Sequence, residues 1–301
     1  MTDTTPFRLF PVRVAATHDV TPSLRRVTFH DPSLAHFADP GFDQRIKLFF
    51  PCDRPYAELL AGGAQGVREL RELPDDQRHP MRTYTTRAVR PDRCEVDIDL
   101  VVHDVLGPAS AWIDRVQVGD ELVIFGPNAA YAGEPGGVDF VPPEVTKHYL
   151  LVGDETAAPA IAVILEQLPQ SARGTVVLEV PEEADAAYLP EHPGFITSVH
   201  ARAGRDHGAA MIAATKSVLT HLAPPGSVHE VEEIDVDTEL LWEVPRHARG
   251  GAALKTTSLY AWLAGEAGAV KQLRRHLVGE LGVDRRTVAF MGYWRLGRAE
   301  N

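Results

Sequence analysis

The segment from Met81 to Arg87 places cationic, aromatic and hydroxyl side chains on one predicted β-strand. Its candidate residues are Arg82, Thr83, Tyr84, Thr85 and Arg87. A guanidinium can pair with a pyrophosphate through two hydrogen bonds, a phenol ring can stack on an isoalloxazine, and a hydroxyl can hydrogen-bond near N5 of that ring. These residue types predict a flavin-binding strand. An exposed hairpin strand with alternating polar residues is the equally supported alternative.

A second segment, residues 99–112, predicts a strand that ends at His103 and a Gly-Pro turn that opens a short helix. Backbone amides at a helix start bind phosphate, and small side chains let a phosphate approach. The candidates for cofactor contact are Val102, His103, Gly107, Ala109, Ser110 and Trp112. Taken alone, the segment favours a plain strand–turn–helix corner with Trp112 in the core. His103 has no second histidine at metal-ligand spacing, so no metal site is predicted.

A third segment, residues 153–159, joins a predicted buried strand to a helix and contains Asp154, Thr156 and Ala157. A turn at this position suits a nicotinamide nucleotide. However, it lacks the G-x-G-x-x-G loop, and two adjacent carboxylates would repel a pyrophosphate. A simple helix N-cap by Asp154 or Thr156 is the alternative.

The elements that would position these segments differ between the two halves of the chain. Up to about Val145, short apolar or alternating segments between Pro, Gly and Asp residues predict a closed or nearly closed antiparallel β-barrel. The predicted strands are residues 10–15, 24–29, 45–50, 83–88, 96–103 and 121–125. Residues 56–73 predict a surface insertion with one short helix.

Beyond a Gly- and Pro-rich stretch at 133–143, strands and helices alternate, which predicts a parallel sheet with crossover helices. The predicted strands are residues 148–152, 175–180, 195–200, 258–264 and 287–292, and the helices are 157–168, 208–222 and 266–281. The predicted fold class is therefore an N-terminal antiparallel β-barrel, residues 7–145, followed by a C-terminal parallel-sheet α/β domain, residues 146–301.

Composition excludes several classes of function. A formal net charge of −12 argues against nucleic acid as a partner. Cys52 and Cys94 are the only cysteines, which disfavours a disulfide framework and a Cys-ligated iron–sulfur cluster. No signal peptide is visible, and the longest apolar stretch, 157–165, is too short for membrane insertion, so a cytoplasmic protein is expected. No catalytic acid, base or nucleophile motif is found.

Several motifs occur together in an order that resembles the siderophore-interacting protein family, within the ferredoxin–NADP reductase superfamily. They are Arg82-Thr-Tyr-Thr-Thr-Arg87, His103 with Gly107-Pro-Ala and Trp112, Gly126-Pro127, Gly153-Asp-Glu-Thr-Ala, Trp262 with Gly265-Glu266, and Gly292-Tyr-Trp-Arg295. The resemblance covers about residues 7–298 and adds Gly265, Glu266 and Trp294 to the candidate cofactor contacts. Asp104 departs from the glycine that the family usually has after its histidine.

The resemblance implies an FAD-dependent ferric-siderophore reductase that takes electrons from NADPH or NADH. It further implies a flavin-binding β-barrel at residues 7–145 and a nicotinamide-binding α/β domain at residues 146–301. It also implies that cations beside the flavin bind the anionic siderophore, and Lys47, Arg295 and Arg298 are the candidates. Arg274 and Arg275, placed by the pattern on a polar helix face, are candidates for contact with a 2′-phosphate. The alternatives are a general flavin or electron-transfer reductase with a separate protein partner, and a non-catalytic siderophore-binding protein. The sequence leaves the siderophore, the nucleotide and the oligomeric state open.

Overall fold

The structure, a computed structural model, describes residues 5–70, 72–74, 77–102, 107–222, 241–247 and 251–298. Contacts divide the chain into two compact units, one up to Val138 and one from Asp139 to Arg298. Each unit has its own hydrophobic core. The functional domains at 7–145 and 146–301 stay a prediction. Across the described ranges, none of the helices has the length and apolar character needed to span a membrane.

The N-terminal unit is built on one seven-stranded sheet in which every strand pair is antiparallel. Its strands are β1 (Phe7–Thr21), β2 (Leu24–His30), β3 (Arg45–Phe49), β4 (Met81–Thr85), β5 (Ala88–Arg90), β6 (Glu95–Val101) and β7 (Glu121–Pro127). Two helices complete the unit, α1 (Tyr56–Leu70) and α2 (Pro108–Arg115).

The sheet curls into an incomplete barrel because its two end strands are neighbours in the chain. The strand order is β4-β3-β7-β1-β2-β6-β5, so β4 and β5 lie at opposite ends. Only Thr86 and Arg87 connect them. The amide of Thr86 donates to the carbonyl of Gln44 beside β3, and the amide of Arg87 donates to the carbonyl of Asp97 in β6. The chain therefore crosses from one end of the sheet to the other within two residues, and the predicted antiparallel barrel is confirmed.

The predicted surface insertion is packed more tightly than the sequence suggests. Helix α1 is kinked at Gly63, whose φ of 54° is left-handed, so the segment forms two helical pieces rather than one short helix. Leu59 and Val67 are buried from the two pieces. They pack in a small apolar cluster with Leu9, Phe49 and Val123 of the barrel. One face of the insertion is thus part of the hydrophobic interior.

The C-terminal unit is an α/β fold around a six-stranded sheet. Its strands are β9 (Tyr149–Gly153), β10 (Gly174–Val180), β11 (Phe195–Ala201), β12 (Trp242–Glu243), β14 (Tyr260–Glu266) and β15 (Val288–Trp294), and β8 (Val145–Thr146) and β13 (Thr256–Thr257) form a separate pair. The helices are α3 (Ala158–Gln167), α4 (Ala209–Leu222) and α5 (Ala267–Arg274). The short strands β8, β12 and β13 were not predicted.

The strand order β11-β10-β9-β14-β15-β12 places a topological switch point between β9 and β14. All pairs from β11 to β15 are parallel, and only β12 runs antiparallel at the edge. From β9 the chain moves outward to β10 and β11 and then returns to β14 on the other side. Ligands of open α/β sheets bind where the strand order reverses in this way, beyond the carboxyl ends of the strands. The predicted parallel-sheet fold is confirmed.

The last long helix differs from its prediction in one respect. Residues 266–281 were expected to form a single α-helix, but α5 ends at Arg274 and a π-helical segment, Arg275–Glu280, follows. Val270, Leu273 and Leu277 are buried on one side of this segment, and the adjacent Val278 is buried as well.

Candidate functional site

The predicted flavin-binding strand is β4, at an end of the barrel sheet. Thr83 is exposed, Arg82 and Tyr84 are half-buried, and Thr85 is buried. Lys47 of β3 is the direct cross-strand neighbour of Thr83, and its Nζ lies 3.2 Å from Thr83 Oγ1. Lys47 is half-buried whereas the flanking Ile46 and Leu48 are buried, as expected from the alternation of side chains along a strand. The structure thus places the predicted siderophore-binding lysine beside the predicted flavin strand.

Two buried polar atoms beside β4 have no hydrogen-bond partner among the described residues. They are Oγ1 of Thr86 and Oε1 of Gln44, in residues whose main chains are themselves hydrogen-bonded to each other. A buried polar group without a partner costs free energy, so such atoms in a native fold call for an explanation. Hydrogen-bonding groups of a bound flavin would satisfy them. The residues at this end of β4 therefore fit an FAD site.

The two arginines of this segment have different surroundings. Nη1 of Arg82 donates to the carbonyl of Met81 at 2.8 Å. Arg87 instead has its Nε 3.6 Å from the buried carboxylate of Asp99, which also receives two hydrogen bonds of 2.7 Å from Arg26. The guanidinium of Arg87 therefore takes part in a structural charge cluster with Asp99 and Arg26. Arg82 is the arginine better placed to pair with a pyrophosphate.

The second predicted segment forms a strand–turn–helix corner. Val102 follows β6 and packs on the barrel core, while His103 and Asp104 lie outside the described residues. Gly107 precedes α2, and the hydroxyl of Ser110 both accepts from the Gly107 amide and donates to its carbonyl. Ala109 and Ser110 are buried. The hydroxyl of Ser110 therefore stabilises the start of the helix itself.

Trp112 lies in the core of the barrel unit, where its ring stacks on Phe29 and meets Phe50 edge-on. This is the packing position that the alternative interpretation of the segment predicts. Across the described residues, no group of three or more His, Cys, Asp and Glu side chains has a geometry that could hold a metal ion.

The third segment is where the structure brings distant predicted residues together. Asp154 is the first residue after β9, and its buried carboxylate lies among four hydrogen-bond donors. Oδ1 accepts from the amide and the hydroxyl of Thr156. Oδ2 accepts from the amide of Glu266 at 2.7 Å and from the indole Nε1 of Trp294 at 2.8 Å. Predicted residues that follow β9 and that end β14 and β15 thus form one hydrogen-bonded cluster at the switch point.

Gly265 makes this cluster possible. Its φ of 146° is one that residues with a Cβ rarely adopt. A Cβ at this position would also lie 2.5 Å from Oδ2 of Asp154. The carboxylate therefore occupies the space that a side chain of residue 265 would need. Glu266, the next residue, caps α5 by accepting from the amide of Ala269 at 2.8 Å.

Burial raises the pKa of Asp154 to about 7, and the adjacent carboxylate of Glu155 adds to this effect. The hydrogen bonds from Thr156, Trp294 and Glu266 act in the opposite direction because they stabilise the charged form. Ala157, the N-cap residue of α3, is fully buried, and a Cβ on Gly153 would lie 2.5 Å from its methyl group. Thr156 and Ala157 thus hold a tight turn around the Asp154 carboxylate.

Of the two adjacent carboxylates that were expected to repel a pyrophosphate, the structure pairs that of Glu155 with an arginine. Arg202, just after β11, donates two hydrogen bonds of 2.6 Å to the carboxylate of Glu155. The same guanidinium lies 3.5 Å from Glu179 of β10. Glu179 in turn accepts from the amides of Gly208 and Met211 at the start of α4. The sequence does not predict this buried network, although charged residues that end apolar strands are a signal for it.

The remaining cations have separate positions. Arg295 and Arg298 flank a tight turn directly after β15, and the intervening Leu296 amide lies 3.3 Å from Oε1 of Glu266.

The expectation that Arg274 lies on a polar, solvated face is wrong. Arg274 is buried and pairs with Glu243 of the edge strand β12 at 2.7 Å. It is at the C-terminal end of α5, whereas nucleotides bind at the helix N-terminal ends. Arg275 is exposed.

We expect Arg202→Met to destabilise the C-terminal unit by about 3–5 kcal/mol at pH 8, because Glu155 and Glu179 would keep buried charges without a partner. Urea denaturation measures the loss. Arg286→Met, which breaks an exposed pair with Asp284, is the matched control and should change little. Equal effects of the two substitutions would show that the network is not a buried charge cluster.

Comparison with known proteins is consistent with this geometry. The family model "Siderophore-interacting FAD-binding domain" matches residues 13–131, and the model "Siderophore-interacting protein" matches residues 146–297. A solved structure of the siderophore-interacting protein SipS from Aeromonas hydrophila is 30% identical, with a TM-score of 0.68 over 97% of this chain and 93% of that one.

Two further proteins extend the comparison. The ferric vibriobactin reductase ViuB of Vibrio cholerae is 28% identical over 93% of this chain and 87% of its own length. A ferredoxin reductase from carbazole 1,9a-dioxygenase is 14% identical, with a TM-score of 0.58 over 96% of this chain and 70% of that one, which shows a shared fold alone. With both units matched by their models, the chain belongs to the siderophore-interacting protein family and contains the FAD-binding domain of that family.

Proposed function

We propose that this protein is an NAD(P)H-dependent, FAD-containing ferric-siderophore reductase. The observation that carries the proposal is the joining, in one chain, of a siderophore-interacting FAD-binding barrel and a parallel α/β unit with an open switch point. The name of the relative ViuB, a ferric vibriobactin reductase, supports the same reaction class. The function is thus that of an oxidoreductase rather than of a siderophore carrier.

The chemistry explains why a flavin belongs between nucleotide and iron. FAD, when bound, accepts an electron pair from a nicotinamide and releases electrons singly, as Fe(III) requires. Siderophores hold iron with hard oxygen donors, which bind Fe(III) far more tightly than Fe(II), so reduction releases the metal. The protein then needs to bind and orient its ligands, and it needs no catalytic acid, base or nucleophile.

The residues proposed to hold FAD lie in the N-terminal unit. Arg82 would pair with the pyrophosphate, and Tyr84 and Thr85 would contact the ring system. Thr86 and Gln44 join them as additional candidates, because each has a buried oxygen without a partner among the described residues. The nucleotide would bind at the carboxyl ends of β9 and β14, around the cluster formed by Asp154, Glu266 and Trp294.

The siderophore would depend on local cations, since a chain of net charge −12 cannot attract an anion over long distances. Lys47 is the strongest candidate because it is the direct neighbour of Thr83 on the flavin strand. Arg295 and Arg298, on the turn after β15, are the further candidates.

We expect the FAD-loaded protein, mixed anaerobically with NADH or NADPH, to lose its flavin absorbance near about 450 nm, a property of oxidised flavins as cofactors. Adding a ferric siderophore should then restore the absorbance and produce Fe(II), which an Fe(II)-specific chelator detects. Flavin that is reduced but is reoxidised only by a redox protein would identify an electron-transfer reductase instead. Protein that binds a ferric siderophore but no FAD would exclude the proposed enzyme.

Arg82→Ala should weaken FAD binding by roughly ten- to a hundredfold, because it removes a charge-assisted pair worth about 1.5–3 kcal/mol. Titration of the apoprotein with FAD measures the affinity. Arg13→Ala is the matched control, since Arg13 pairs on the barrel surface with Glu121 and has a side chain 71% exposed. Unchanged FAD affinity in Arg82→Ala would remove this residue from the site.

Lys47→Ala should raise the apparent KM for an anionic ferric siderophore several-fold, since one partly screened contact contributes about 1 kcal/mol. Reduction of the flavin by the nucleotide should not change. The effect should fade as salt approaches about 0.5 M, and a neutral ferric chelate should be almost insensitive. Lys255→Ala, an exposed lysine of the other unit, serves as control. Equal losses with neutral and anionic chelates would show that Lys47 has only a structural role.

A further inference from the structure

The carboxylate of Asp154 extends across the end of one strand to reach the next. Asp154 follows β9 and Trp294 ends β15, and β14 lies between these strands in the sheet. The carboxylate passes over Gly265 at the end of β14, where a Cβ would lie 2.5 Å from its Oδ2. Residues 140 positions apart in sequence are thereby joined by a 2.8 Å hydrogen bond. This hydrogen bond requires glycine at residue 265, because any side chain there would occupy the space of the Asp154 carboxylate.

The carboxylate has no capacity left for a ligand. A carboxylate offers about four lone-pair sites to donors. Thr156 supplies two donors, and Glu266 and Trp294 supply one each. The side chain is 2% exposed, so a nucleotide hydroxyl or amide would have to displace one of these protein donors to reach it. Asp154 therefore differs from a residue that binds a nucleotide by direct contact.

The groups that Asp154 holds are better exposed to a ligand than Asp154 itself. Trp294 is half-buried, and its ring packs edge-to-face with His207, which precedes α4. Glu266 is also half-buried, and its carboxylate spans the α5 cap and the amide of Leu296. The Trp294 indole and the turn at Glu266 thus border the switch point between β9 and β14. Both are hydrogen-bonded to the same buried oxygen, Oδ2 of Asp154.

We propose that Asp154 is a positioning residue for nicotinamide nucleotide binding that acts through the indole of Trp294. The inference rests on the proposed function, because it assumes that a nicotinamide nucleotide binds at the switch point. The hydrogen bond fixes the plane and rotation of an indole that would otherwise turn about its side-chain bonds. A correctly oriented ring beside the switch point lowers the entropy lost when the nucleotide binds.

The test is a double-mutant cycle on nucleotide binding to the FAD-loaded protein. Trp294→Phe keeps an aromatic ring but removes the Nε1 donor, and Asp154→Ala removes the acceptor. The measured quantity is the nucleotide concentration that gives half the maximal rate of anaerobic flavin reduction. We expect each single variant to raise it about tenfold, as loss of a hydrogen bond to a charged group does. The half-saturating concentration of the double variant should be no higher than that of the more strongly affected single variant, because both substitutions break the same contact.

A purely structural role would not produce this pattern. Reoxidation of the reduced flavin by a ferric siderophore should be unchanged in all three variants, which separates nucleotide positioning from a general loss of folded protein. Asp284→Asn, an exposed acidic residue before β15, is the matched control and should leave both half-reactions unchanged. The proposal would be overturned if the fold-increase in the double variant equalled the product of the two single fold-increases. Asp154 would then act independently of Trp294.

Two further measurements keep the proposal falsifiable if Asp154→Ala does not fold. The first is the same cycle with Asp154→Asn, whose amide cannot accept from both donor pairs at once. The second is Gly265→Ala, which retains both the Asp154 and the Trp294 side chains but introduces a Cβ where Oδ2 of Asp154 lies. It should cause the same selective loss for the nucleotide, and an unchanged half-saturation value would contradict the proposal. If neither NADH nor NADPH reduces the flavin of the unaltered protein, the proposed function fails, whereas multiplying effects in a working enzyme refute this inference alone.

Discussion

A single buried carboxylate determines how the ends of the parallel strands meet at the switch point. Asp154 accepts hydrogen bonds from residues that follow β9, complete β14 and end β15. A charge without solvent is costly, so its four donors are required for the ionised form to exist there at all. This requirement explains the glycine at residue 265, the sharp turn at Thr156 and the orientation of the Trp294 indole. The strand ends are therefore held as one assembly rather than as separate loops.

Charge compensation is the second constraint on this edge of the sheet. A parallel sheet whose strands end in Asp154, Glu155 and Glu179 would repel an anionic cofactor if these carboxylates were free. Arg202 neutralises Glu155 directly, and the helix amides at Gly208 and Met211 satisfy Glu179. Because the pairs are buried, salt screens them much less than surface charges. At the switch point, the carboxylate of Glu155 is thus paired with a cation, and those of Asp154 and Glu179 accept hydrogen bonds.

The barrel unit depends on a different feature, the way in which its sheet closes around a core. Residues Thr86 and Arg87 cross from β4 to β5 and draw the two ends of the sheet together. The same crossing leaves Oγ1 of Thr86 and Oε1 of Gln44 buried without partners among the described residues. Polar groups in this state cost stability, which a bound ligand can restore. The closure of the barrel and the two buried oxygens that lack partners among the described residues thus share one structural origin.

The sequence by itself determined the fold class and most of the regular elements. Alternation in residues such as Phe10, Val12 and Val14 marks a strand with one buried face, and continuous apolar runs such as β9 mark strands buried on both faces. These signals are local, so they can be recognised without knowledge of the tertiary structure. The two-residue strands β8, β12 and β13 carry too few residues to show any periodicity, and the sequence could not reveal them. The kink of α1 depends on a glycine conformation that residue type alone permits but does not require.

Only the tertiary structure decided which of the candidate residues act together. Asp154, Gly265, Glu266 and Trp294 were predicted from separate motifs, yet the bonds that join Asp154 to Glu266 and Trp294 span 112 and 140 positions. Arg274 was expected on a solvated face, but a strand too short to predict supplies Glu243 and buries it. Arg202 and Glu155 lie 47 positions apart and become partners only when β9, β10 and β11 are aligned. Residue types and periodicity report local preferences, whereas charge pairing and hydrogen bonding at a sheet edge depend on strand order, which is a property of the whole fold.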